Sequence, residues 1–372
     1  MRRPRSPLAS RRRARGLSQE TLAERLGVDR STVARWEGAR TAPQPAFRPR
    51  LAAELGWSTE ELHAALAEAP PARPVGEEAV LDLHDALYDL ARRYDTVPSA
   101  HLLAPAVACH HAAVTLAGAP GDPALAPRLR TAAAEAAILH GRVLWDASLR
   151  TDNTGPPGLF AEAVASARAA GDRIAECHAL LRTCYVALYG THDPVAGAAH
   201  AQRAATVARH SPALRALALL HVAEAHAMLG EARDCDATLD TAHALLADPD
   251  TDDPGRFLLD PAPFRRLAGA AHLRLGRPAT ARALLDRAAD DLPPTKTTTL
   301  LLGTLARAHA HEGHLDAAVA TLHRAADQLA AHRGAAGLRA VGAAMDDLAR
   351  WRAEPSVATL RDHLNTIGAW PR

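Results

Sequence analysis

Three glycines, Gly230, Gly276 and Gly313, share one set of neighbours, and that common register constrains the chain more than any other feature. Seven residues before each stands a small residue (Ala223, Gly269, Ala306), and four before stands a histidine (His226, His272, His309). Five after come Cys235, Ala281 and Ala318, nine after come Leu239, Leu285 and Leu322, and twelve after come Ala242, Ala288 and Ala325. Small residues, a turn glycine and a second apolar stripe at helical spacing describe two helices nested across a tight corner. One such pair cannot bury its apolar face alone, so pairs must stack. The clearest pairs span 214–331; the glycines lie 46 and 37 residues apart, the longer interval holding the insertion "ADPDTDDPGRFLLDPAP". Residues 130–210 read as more degenerate pairs, with Gly190 at a similar turn.

Aromatics make up 3% of a chain dominated by Ala and Leu, which favours closely approaching helices over strands. The expected fold class is all-α. At 372 residues the chain exceeds one hydrophobic core, so a small domain joined to a repeat array is the expected organisation. The glycine-centred pattern resembles the tetratricopeptide repeat, with histidine where that repeat usually carries tyrosine. The resemblance implies a concave face, made by the first helix of each pair, suited to peptides, partner helices or small ligands.

Charge separates the two parts. Residues 1–50 hold 13 arginines against Glu20, Glu24, Asp29 and Glu37, a net +9, which leaves −8 on the rest of a chain whose total is +1. All 20 histidines lie beyond residue 62. A basic head on a mildly acidic body points to a polyanion partner for the head alone. The single lysine, Lys296, reads as the arginine bias of a GC-rich, actinobacterial-type coding sequence rather than as chemistry. The Pro-rich stretch "AEAPPARPVGEE" reads as a semi-rigid spacer. The expected domains are 1–68, a linker at 69–78, and a repeat domain at 79–372, opening with Val80, Leu83, Leu87, Leu90 and Tyr94 at helical spacing.

Within the head, residues 8–62 parse into five short helices. Ser18 is placed to cap the second, Leu22, Ala23 and Leu26 form its apolar face, and Gly27 supplies the left-handed residue that ends it. Asp29 caps the third helix, where Val33 and Trp36 face inward while Ser31 and Arg35 point nearly opposite and Arg30 sits in the exposed first turn. A helix enters the major groove only if its outward side chains are compact or reach base edges, and arginine reads guanine through a bidentate fork.

The stretch "GLSQETLAERLGVDRSTVARWEGAR" closely resembles the Cro/C1-type, or XRE, helix-turn-helix family. That resemblance implies base contacts by Arg30, Ser31 and Arg35, phosphate contacts by Gln19, Thr32 and Arg40, and a structural Arg12–Glu37 pair supporting the Val33 and Trp36 core. It also expects the capping box formed by Ser58 and Glu61. Two residues depart from the pattern: Arg11 replaces an apolar residue of helix 1, and Pro49 moves the start of helix 4 close to itself. Arg2, Arg3 and Arg5 read equally as a solvated tail or as an arm touching phosphates.

Chemistry is sparse elsewhere. Cys109, Cys177, Cys184 and Cys235 show no CxxC pairing and read as small buried hydrophobes in a reducing compartment. The cluster "HAHEGH" lacks HExxH spacing, the recurrent histidines read as packing between helices, and His110 and His111 point to different faces, so no metal site is expected. No nucleophile elbow or phosphate loop occurs, so neither catalysis nor a cofactor is expected. No window reaches bilayer-spanning apolar length, and a cytoplasmic location is expected. The combination resembles XRE regulators with tetratricopeptide-like C-terminal regions: a homodimer on a double-stranded DNA operator, with a peptide, small-molecule or protein ligand in the repeats. Likeness to peptide pheromone receptors is limited, because those use inner-helix asparagines and this chain holds only Asn153 and Asn365. The alternative is a protein-interaction scaffold with an auxiliary or vestigial DNA-binding head.

Overall fold

The computed structural model describes residues 6–38, 41–44, 47–67, 76–247, 252–259, 263–291 and 293–369. Most of the spacer, the three leading arginines and Arg40 lie outside the described residues. The chain divides into two compact units, one reaching Gly76 and one holding Glu77–Gly118 and Ala124–Arg372. No β-strand occurs among the described residues.

The first unit contains α1 (Pro7–Ala14), α2 (Gln19–Leu26), α3 (Arg30–Glu37), α4 (Arg48–Leu55) and α5 (Thr59–Ala67). Local chemistry sets each boundary. The Thr21 amide donates to Ser18 Oγ at 2.9 Å, and Gly27 ends α2 at φ +70°. Such a cap contributes about 1 kcal/mol. Pro49 sits in the first turn of α4, where its missing N–H costs nothing, so the helix begins at Arg48 as expected. Ser58 and Glu61 form the anticipated reciprocal cap, with bonds of 2.6 and 3.0 Å. Leu22, Leu26, Val33, Leu51, Leu55 and Leu62 fill the core beside Trp36.

The second unit runs through α6 (Glu77–Tyr94), α7 (Ser99–Ala117), α8 (Ala126–Ala147), α9 (Gly155–Ala170), α10 (Arg173–Val186), α11 (Pro194–Val207) and α12 (Pro212–Leu229). It continues with α13 (Ala232–Ala247), α14 (Pro263–Arg274), α15 (Pro278–Asp291), α16 (Lys296–His311), α17 (Leu315–Ala331), α18 (Ala335–Asp347) and α19 (Pro355–Thr366). The three aligned glycines close identical corners at φ +77°, +71° and +83°. In each, the amide after the glycine donates to the histidine carbonyl five residues back at 2.9 Å, satisfying a carbonyl that the helix end would orphan. Every apolar position of the alignment is buried. Gly269 is required by close approach, since a Cβ there would press on Leu285 Cγ at 2.7 Å.

Two sequence expectations are corrected, the turn at Gly190 and the absence of any helix of bilayer-spanning length. Gly190 is not the corner residue: α10 runs into a π-helical turn, Ala187–Thr191, and His192 takes the left-handed conformation at φ +55°. Gly190 is there because a Cβ would collide with Asn153 Oδ1. Two of the recurrent histidines reach residues of their own corners, His226 Nδ1 lying 2.6 Å from Glu231 and His272 Nδ1 3.4 Å from Arg277, while His309 Nε2 faces Asp286 of the neighbouring α15 at 4.0 Å. Glu231 and Asp234 each bring a carboxylate oxygen within 4.8 Å of a ring nitrogen of His226. Finally, α7 is long and apolar enough by length and composition to cross a bilayer, with a mean hydropathy of 1.3, because its alanines, leucines and valines carry no charged neighbour. Its Leu102, Ala106, Cys109 and Ala113 pack against α6 and α8 in one core.

Candidate nucleic-acid interface and inner cavity

The recognition surface starts from the corner at Gly27. Its positive φ lets α2 end abruptly, and the Val28 amide closes back onto the Ala23 carbonyl at 3.0 Å. Asp29 then caps α3, its Oδ1 accepting the Ser31 amide at 2.7 Å. The Ser31 side chain and amide hold this exposed carboxyl below the usual carboxylate range. Val33 and Trp36, 1% and 6% exposed, anchor one side of α3, and Arg30, Ser31 and Arg35 are exposed. Arg35 Nη2 donates to Thr32 Oγ1 at 3.0 Å, which restrains its guanidinium along the outer side of the helix.

The support beneath that surface is ionic. Arg12 Nε and Nη2 reach Glu37 at 2.5 and 3.2 Å, and both side chains are under one-tenth exposed. Arg12 Nη1 also donates to the Leu17 carbonyl at 2.6 Å. Gln19 Nε2 donates to Glu37 Oε2 at 2.8 Å, so the residue expected to meet a phosphate is, in the free protein, a third clamp on the same carboxylate. Arg11, the departure in helix 1, donates to the Leu55 and Gly56 carbonyls at 2.9 and 2.7 Å and lies over Trp57. It thereby ties α1 to the end of α4.

Residues 8–62 form a helix-turn-helix domain. They match the family described as "Helix-turn-helix", over the stretch that carries the XRE-type resemblance. No curated protein matches the chain. Among solved structures, one similar chain is "Crystal Structure of Rap Protein Complexed with Competence and Sporulation Factor", 13% identical, with a TM-score of 0.42, covering 79% of this chain and 98% of that one.

Beyond the helix-turn-helix domain, the second unit holds an open cavity of about 1540 Å³ that sequence reasoning did not locate. Its helical lining comes from α6, α8, α10, α12, α14, α16 and α18, while the odd-numbered helices from α7 onward contribute none of it. Along α8 the stripe is Glu135, Ile138, Leu139, Arg142 and Asp146; along α12 it is Leu217, His221, Glu224 and Met228. Both keep helical spacing, so one layer of helices faces the cavity and the other backs it.

Two ends of the unit meet at Lys296, which the composition argument had set aside. Its Nζ donates to Ser99 Oγ at 2.8 Å and to Asp146 Oδ2 at 3.1 Å, and lies 4.4 Å over the Tyr94 ring. Asp146 Oδ1 accepts the Ala335 amide at 2.8 Å. This ion pair and the hydrogen bonds around it thus join α7 and α8 to the first turns of α16 and α18.

Glu135 gives that cavity a pH signature. Burial, with the Asp172 carboxylate adding to it, raises its pKa to about 7. The folded state therefore binds a proton that the unfolded state releases between about pH 4.5 and 7, and stability falls as pH rises through that window. Glu135→Gln is expected to melt about 2–6 °C above the parent at pH 8, with the gap closing by about pH 4.5, in thermal unfolding followed by circular dichroism.

Proposed function

We propose that the chain is a sequence-specific DNA-binding transcriptional regulator that acts as a homodimer through its repeat unit, with a ligand or partner in the cavity biasing the heads. The observation that carries this reading is α3 itself: Arg30, Ser31 and Arg35 exposed on one side of a helix anchored by Val33 and Trp36, in a head whose first 50 residues carry a net +9. Compact and guanidinium-bearing side chains on a projecting helix suit base edges in the major groove. Gln19, Thr32 and Arg40 take phosphates, with Gln19 exchanging its bond to Glu37 for one to the duplex. Two heads on one dimer read half-sites about one helical turn apart.

Selection of random duplexes by the full chain, followed by sequencing, tests this directly. The expected result is a pseudo-palindromic motif; failure to enrich any sequence returns the chain to a scaffold role. Arg35→Ala is expected to cost roughly 1–3 kcal/mol on the selected site and relax one base position, whereas Arg40→Ala weakens all duplexes alike. Equal losses on selected and random duplexes for Arg35→Ala would remove its base-reading role.

A further inference from the structure

The cavity is positively charged inside a negatively charged unit. Its lining holds nine Arg or Lys residues against five Asp or Glu, although the chain beyond residue 50 carries a net −8. The excess is localised. Toward α14 and α16, Arg274 Nε lies 3.8 Å from Glu224 and Arg307 pairs with Asp347 at 2.7 Å. Around Tyr94 and Trp145, Arg142, Arg150 and Arg182 form no ion pair with a carboxylate among the described residues, and the adjacent Asp146 is already engaged by Lys296 and the Ala335 amide. Asp95 is the remaining nearby carboxylate.

These guanidiniums rest on aromatic faces. Arg142 lies 4.1 Å over Tyr94, Arg150 lies 4.4 Å over Trp145, and Arg182 lies 4.9 Å over Tyr185. The Nε atoms of Arg142 and Arg150 are buried with no hydrogen-bond partner among the described residues. Arg182 donates to His178 Nε2 at 3.1 and 2.9 Å, a neutral acceptor that brings no counter-charge. Burial together with the Arg182 and Arg142 charges keeps the His178 pKa well below its ordinary value. Burial, and then repulsion from Arg142, draws even the Arg182 guanidinium down to about 10. Desolvated charges of one sign without a partner are costly, and a folded chain retains them where something outside it supplies the opposite charge.

We propose that this cavity binds a small organic anion, with its carboxylate or phosphate held by Arg142, Arg150 and Arg182 and its apolar body against Leu217, Leu267 and Leu273. The three leucines line the same cavity from α12 and α14, and Phe257, Leu258 and Leu259 extend that wall from the insertion. Arginine forks fit planar or tetrahedral oxyanions, and the aromatic rings beneath them fix their orientation before binding. The volume exceeds what an inorganic ion fills, which is why the body matters as much as the head group. The assignment names the ligand class of the sensing role proposed above.

Isothermal titration of the full chain with 2-naphthoate, 2-naphthyl phosphate and the neutral 2-naphthylmethanol tests it. Either anion is expected to bind at least roughly tenfold more tightly than the alcohol, and the preferred head group tells carboxylate from phosphate. Arg182→Met and Arg150→Met are each expected to weaken that binding roughly tenfold while raising the melting temperature of the ligand-free protein, because each removes an unpaired charge. A merely structural arginine would lower that temperature. Absence of binding by both anions, equal binding of the alcohol, or unchanged binding in both variants would overturn the site. Repeating the titration with the selected duplex separates the two readings. Anion binding that leaves duplex affinity unchanged keeps the site and removes the sensing role; duplex binding without anion binding does the reverse.

Discussion

Lys296→Met is expected to lower the melting temperature of the second unit by roughly 6–10 °C, taking roughly 3–5 kcal/mol for breaking a buried pair and about 2 °C per kcal/mol for a unit of this size. The lysine and its carboxylate are 7% and 5% exposed, so water cannot replace the lost partner. Asp146 would keep only the Ser99 hydroxyl, at 2.6 Å, and the Ala335 amide. Burial holds the Lys296 pKa below its ordinary value, with Asp146 pulling it back up, so the pair offsets its own desolvation only in part. Asp146→Leu alone should therefore be as damaging as Lys296→Met, while the two together recover part of the loss. Hydrogen exchange would place the effect: protection should fall first at the opening turns of α16 and α18, where the junction is made. An unchanged melting temperature in Lys296→Met would show that this junction holds without its ion pair.

That lysine marks where the sequence stops being legible. The head could be read because each device is local: Ser18 caps three residues ahead, Gly27 turns one corner, and Val33 and Trp36 share a face by spacing alone. The repeats could be read for the same reason, as helix, glycine and helix recur within a few dozen residues. Lys296 meets partners 150 and 197 positions away, and no periodicity encodes such a separation. The inward arginines were hidden differently. Arg142 and Arg182 sit on α8 and α10 where charged residues normally mark a solvated face; only the stacking of successive pairs turns that face into a cavity wall. Gly190 misled because a glycine needed for close approach looks, in sequence, like one needed for a turn. Gln19 carries a bond that spacing could not announce: its Nε2 donates to Glu37 Oε2, a contact across two helices that no local pattern encodes.

Glu37→Ala is expected to unfold the helix-turn-helix domain while leaving the second unit folded. The carboxylate accepts Arg12 twice and Gln19 once, tying α1 and α2 to α3, and its loss leaves the Arg12 guanidinium, 7% exposed, with the Leu17 carbonyl alone. Removing one member of such a pair costs roughly 3–5 kcal/mol, about what a core of this size supplies in total. Two-step thermal unfolding in the parent, with the smaller transition missing in the variant, is the expected calorimetric result. Glu37→Gln keeps an acceptor without its charge and should lose part of that stability; Arg12→Met combined with Glu37→Leu should recover most of it, because neither charge is then stranded. The double variant separates folding from recognition. If it binds the selected duplex as the parent does, the pair is support alone. If it folds and still fails to bind, freed Gln19 or a displaced α3 accounts for the loss, and Glu37 then belongs to the positioning of the recognition helix as well as to its stability.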